Sequence, residues 1–117
     1  MTHIIEINTY STEYHEAMQC FLDQLTTNPM TLTESMFRQL VESTNSHLFF
    51  LIKDEQIAGM LTVGIYYSPT GGKAWIEDVV VDEAFLNFTI SVFAFFSPIP
   101  LICVSEFSKA DFVCFFL

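Results

Sequence analysis

Near the start of the chain Ile5 and Ile7 alternate with Glu6 and Asn8, the two-residue period of a half-buried strand, and a first strand is predicted over His3 to Thr9. From Ser11, an N-cap residue with Glu13 in the first turn, the apolar positions change spacing. Tyr14, Ala17, Met18, Phe21, Leu22 and Leu25 fall on one face of a helix that should end near Thr27, before Asn28-Pro29. Thr31-Leu32-Thr33-Glu34 has the capping-box pattern, and Met36, Phe37, Leu40 and Val41 form a second stripe, predicting a shorter helix to about Ser43. The run Leu48 to Ile52, inside His47 to Lys53, is compact and apolar and is closed by Asp54-Glu55, as a buried strand and its turn would be. Gln56 to Tyr67 is rich in strand formers and is bounded by the loop-type residues Ser68-Pro69-Thr70-Gly71-Gly72. A hairpin partner follows over Lys73 to Asp82, with Trp75, Ile76 and Val79-Val80-Val81.

The predicted order is thus one strand, two helices and three strands. It implies an α+β fold with a mixed or antiparallel sheet, in which the first strand borders the second to fourth and the helices cover one face. At 117 residues the chain is long enough for one modest core, and residues 1–117 are read as a single domain.

Composition then divides the chain in two. Up to Phe85 the sequence is acidic and ordinary for a globular protein. From Leu86 to Leu117 eight of the thirteen phenylalanines gather, and Glu106, Lys109 and Asp111 carry all the charge. Four basic residues against fourteen acidic ones leave a formal charge of -10, which gives a phosphate backbone no counter-charge and argues against nucleic-acid binding. The same field favours the approach of a cationic amine. Cys20, Cys103 and Cys114 are odd in number and lack ligand spacing, as reduced thiols of a cytoplasmic protein would be. His3, His15 and His47 are scattered and are read as surface or cap residues, so no metal site is expected. The N-terminus shows no basic segment followed by an apolar run, the pattern of a secretory signal.

The element order, the Ile57-Ala58-Gly59 stretch and the segment Trp75-Ile76-Glu77-Asp78-Val79-Val80-Val81-Asp82-Glu83-Ala84-Phe85 together resemble the GNAT superfamily of acyl-CoA N-acyltransferases over residues 3–85. The Ile-Glu-Asp-Val-Val-Val phrase is similar to that of glucosamine-phosphate acetyltransferases, among other members. The resemblance implies acetyl transfer from acetyl-CoA to an amine. It also implies that the backbone of Val79, Val80 and Val81 faces the cofactor, an oriented N–H meeting the charge that develops on the thioester oxygen. Glu77 or Asp78 would then take a proton from the attacking ammonium, directly or through water. Neighbours on a regular strand point to opposite faces, so one of the two at most is expected in the cleft, and Glu77 is favoured.

Past Phe85 the chain departs from the family, whose members continue with a glycine-bearing loop that holds the pyrophosphate at a helix N-terminus. Here Leu86-Asn87-Phe88-Thr89-Ile90-Ser91-Val92 follows, no glycine occurs after Gly72, and the last tyrosine is Tyr67. A shifted reading frame would produce such a break, with natural divergence of the tail as the alternative, and a family domain truncated or frameshifted in this way is expected to have low or no activity. Strict alternation over Leu86 to Val92 predicts that the tail begins as a strand. The short connection would return it antiparallel beside the preceding strand, with residues up to about Phe96 in the cofactor slot, where they would exclude acetyl-CoA. Two other uses of the tail stay open: a homodimer through residues 86–117, as for other large apolar patches, and a membrane-associated tail. Against the membrane, Pro98 and Pro100 interrupt the uncharged run, and no basic cluster flanks it. The acceptor amine is not specified by the sequence.

Overall fold

The computed structural model describes residues 2–82 together with 84 and 85. Strand β1 (Thr2–Ile7), helices α1 (Thr12–Leu25) and α2 (Glu34–Glu42), and strands β2 (Ser46–Lys53), β3 (Gln56–Ser68) and β4 (Gly71–Val81) follow one another in the expected order. The strands form one antiparallel sheet in the order β1-β2-β3-β4. The expectations for residues 86–117, a strand start, a pairing surface and a membrane-associated tail, lie outside the described residues. Among the described residues no helix is long and apolar enough to cross a membrane.

Local chemistry accounts for the element ends. The Ser11 hydroxyl accepts from the Tyr14 N–H at 3.1 Å and opens α1, satisfying one of the donors a helix start leaves unpaired. The capping box expected at Thr31 does not form. Thr33 is the N-cap of α2 and its Oγ1 accepts from the Met36 N–H at 3.2 Å, so Glu34 is the first helical residue. The cause is tertiary: Gln19 of α1 brackets the preceding loop, donating to the Met30 carbonyl at 2.8 Å and accepting from the Leu32 N–H at 2.7 Å. Leu32 is thereby anchored in the core, one residue before the N-cap Thr33.

Asp54 and Glu55 join β2 to β3 with φ of 49° and 65°, the left-handed values that a two-residue hairpin turn matched to strand twist requires. At the other hairpin the loop is shorter than its residue types suggested. Ser68 pairs with Gly71 and Tyr67 with Gly72, leaving Pro69-Thr70 as the turn. Both glycines serve as strand residues there.

The helices cover one face of the sheet. Phe21, Met18 and Leu22 of α1 and Phe37 of α2 pack on Leu48, Phe50, Met60 and Val80, with Ile7 from β1. Phe37 and Phe50 are fully buried, and edge-to-face contacts link Phe50 to Tyr14 and Phe21 at 5.5 and 6.2 Å. His15 is not the surface or cap residue expected. Its ring stacks on Phe37 at 6.2 Å and meets Tyr10 edge-on, which buries its Nδ1. On the opposite face Leu51, Ala58, Leu61 and Ile76 make a second cluster, joined by Val79, Val81 and Phe85.

Candidate functional site

Strand β4 is irregular where the sequence places its chemistry. Met60 faces Val80 and Thr62 faces Glu77, so the single residue Leu61 opposes both Asp78 and Val79. This is a β-bulge, and Asp78 carries its strain with φ of 53°. Asp is one of the few residue types that enter the left-handed region at small cost, which lets this segment bulge without a glycine.

Beyond the bulge the ladder resumes. The Asp82 N–H donates to the Ala58 carbonyl at 2.8 Å. In an antiparallel pair the amides alternate in direction, so the Val80 N–H faces β3 and the Val81 N–H faces away from it. Within the described residues β4 has β3 as its one strand neighbour, leaving that outward backbone along its far side. Close approach of the two strands at this point depends on Gly59, where a Cβ would meet the Val80 carbonyl oxygen at 2.6 Å. Asp82 then turns the chain, its Oδ1 accepting from the Ala84 N–H at 2.9 Å and its carbonyl from the Phe85 N–H at 2.8 Å. Gln24 of α1 reaches Asp82 Oδ2 at 3.5 Å and ties the end of β4 to the helix layer.

The two carboxylates singled out from the sequence serve different hollows. Asp78 lines a depression of about 840 Å³ with Leu22, Leu25, Thr26, Asn28 and Met30, at the C-terminal end of α1 and the loop that follows. Glu77 is exposed and lines a second of about 440 Å³ with Asn45, Ser46, Gly64, Ile65, Tyr66 and Trp75. The expectation of strict alternation between them assumed a regular strand, and the bulge removes that assumption. Sequence reasoning passed over the residues around Glu77. Trp75 was legible in principle, two residues away on the same strand and hence on the same face, whereas Tyr66 and Asn45 join it only through the pairing of β2, β3 and β4. The Tyr66 and Trp75 rings stack at 5.9 Å with 23° between their planes.

The described residues fit an acyl-CoA cofactor in part. An extended arm bearing amides could pair with the outward backbone at Val81. The group that should hold a pyrophosphate is missing from the sequence itself, since no glycine occurs after Gly72 and Lys109 is the one basic residue beyond Lys73.

A family model described as acetyltransferase (GNAT) family matches residues 10–89. Among solved structures, an aminoglycoside acetyltransferase from an uncultured soil metagenomic sample, in complex with trehalose, is similar with a TM-score of 0.56 and 18% sequence identity. The alignment covers 83% of this chain and 70% of that one, and at such identity it speaks for the fold. The search of curated proteins gives no match.

Proposed function

The chain belongs to the GNAT acetyltransferase family, and from that premise we propose that it carries the acceptor side and the bulged central strand of an enzyme transferring acetyl from acetyl-CoA to an amine, with little or no turnover of its own. The supporting observation is the bulge at Asp78 and Val79, which interrupts β4 between Glu77 and the outward-facing backbone at Val81. In this reading Val79, Val80 and Val81 form the backbone that a thioester arm would meet, and Glu77 takes the ammonium proton, with Asp78 the alternative. The similar solved structure is that of an acetyltransferase acting on aminoglycosides, and an amine is likewise the acceptor proposed here. The low turnover is argued from the sequence past Phe85, which has no glycine to give a pyrophosphate the close backbone approach that the family's loop provides. A chain with formal charge of -10 compounds the deficit. The proposed location is the cytoplasm, on the ground of its three cysteines without a disulfide pattern.

Isothermal calorimetry with coenzyme A at about millimolar concentration tests the proposal, and no binding heat is expected. Acetylation of an amine at roughly 1 per second or faster would overturn the low-turnover half.

A further inference from the structure

Three rows of register partners cross the helix-covered face of the sheet toward its β3–β4 edge. Leu48, Thr62 and Glu77 form one, and Ser46, Gly64 and Trp75 the next. Tyr66 and Lys73 pair in the third. Leu48 belongs to the core under the helices, which fixes the face on which all three rows lie. Beyond Leu48 the core gives way to a hollow, and Gly64 is the reason. A Cβ placed on it would meet no heavy atom of the described residues within 4 Å, so among them the middle of the second row is open space.

That space has a distinctive rim. On one side stands the exposed carboxylate of Glu77, and on the other the stacked pair of Tyr66 and Trp75, with Tyr66 43% exposed. A carboxylate beside aromatic faces is the chemistry that holds an organic ammonium ion: the charge pairs with the oxygens and the apolar body lies on the rings. Lys73, the register partner of Tyr66, brings a positive charge to the strands just beyond the aromatic end. A polycation would meet it unfavourably, and a single charge near Glu77 would not.

We infer that the hollow floored by Gly64 is a binding site for a small primary amine with one positive charge and an apolar body, its ammonium on Glu77 and its body on Trp75 and Tyr66. The inference rests on the acetyltransferase reading only for naming this ligand as the acceptor. Binding itself requires no acetyl donor, so the two can fail separately.

Trp75 is the one tryptophan of the chain, and its fluorescence reports the site directly. The experiment titrates the full-length chain with benzylamine, with benzyl alcohol as the uncharged counterpart and methylamine as the charge without a body. A saturable change is expected with benzylamine at about millimolar affinity, and one at least about tenfold weaker with either control. Glu77→Gln should weaken benzylamine by roughly tenfold or more, because it removes a charge from an exposed position without disturbing the core. Gly64→Val should abolish the change while the far-UV circular dichroism stays that of the parent, since a β-branched side chain suits a strand and fills the hollow. No saturable change with benzylamine overturns the inference, as does equal binding of either control. Undiminished binding by Glu77→Gln, or by a folded Gly64→Val, overturns it too. Failure of any of these leaves the family membership and the coenzyme A result untouched, and acetylation without benzylamine binding would place the acceptor elsewhere.

Discussion

Two glycines of β3 should respond to the same substitution with opposite signs. At Gly59 an added methyl would lie 2.6 Å from the Val80 carbonyl oxygen and 3.4 Å from the Val81 Cα, and both contacts are backbone that cannot rotate aside. Relief requires β3 and β4 to separate by several tenths of an ångström beside the bulge, where the Asp82 to Ala58 hydrogen bond and the pairing of Met60 with Val80 hold them. Overpacking of this kind costs on the order of 1–3 kcal/mol. Taking about 2 kcal/mol, the midpoint of thermal unfolding should fall by roughly 10 °C in a domain of this size. At Gly64 the added methyl has nothing within 4 Å among the described residues and the backbone is not in the left-handed region, so Gly64→Ala restricts the unfolded chain without a clash. It should stabilise by about 0.4–1 kcal/mol. The assay is a pair of thermal melts followed by far-UV circular dichroism, with urea titrations to confirm that the slope is unchanged. A Gly59→Ala variant that melts with the parent, or two shifts of the same sign, would refute the reasoning from close strand approach.

Phe37 has no exposed surface and joins α2 to the sheet, so Phe37→Ala should cost about 3–5 kcal/mol, measured by urea unfolding. Asp78→Val forces a β-branched residue to φ of 53° and should cost roughly 1–2 kcal/mol, while Asp78→Asn, whose side chain also tolerates that region, should be close to neutral by the same measurement.

What the residues disclosed in advance was set by how local the cause was. The strands and helices came from periodicity, and their ends agree within a few residues because Ser11 and the Asp54-Glu55 turn act through neighbours a few positions away. The start of α2 was misplaced because Gln19, twelve or more residues earlier, decides where the loop is held. Turn chemistry was overread at Gly71 and Gly72, whose pairing with Ser68 and Tyr67 draws them into the sheet. At the candidate site Glu77 and Asp78 were visible as acids in an apolar strand. Their separation into two hollows, and the gathering of Tyr66, Trp75 and Gly64 around one of them, depend on the register of three strands. No window along the chain contains that register. The bulge did leave a trace in Ile76, Val79 and Val81, three apolar residues that a strict two-residue period cannot put on one face.

That trace makes β4 sensitive to counting. Ala74 and Ile76 lie on the face turned from the helices and carry even numbers; after the extra residue the same face is served by the odd-numbered Val79 and Val81, and Val80 turns to the helices. Asp78 thus works as a change of phase in the strand's alternation. Deleting it would leave every neighbour chemically intact and yet put the two halves of β4 out of step, so that Lys73, Trp75 and Glu77, or else the three valines, would exchange sides of the sheet. A substitution at this position alters one side chain, whereas a deletion would misdirect a whole half-strand. Residues inserted at the exposed Pro69-Thr70 turn would mainly lengthen a connection between strands, at a small cost in loop closure.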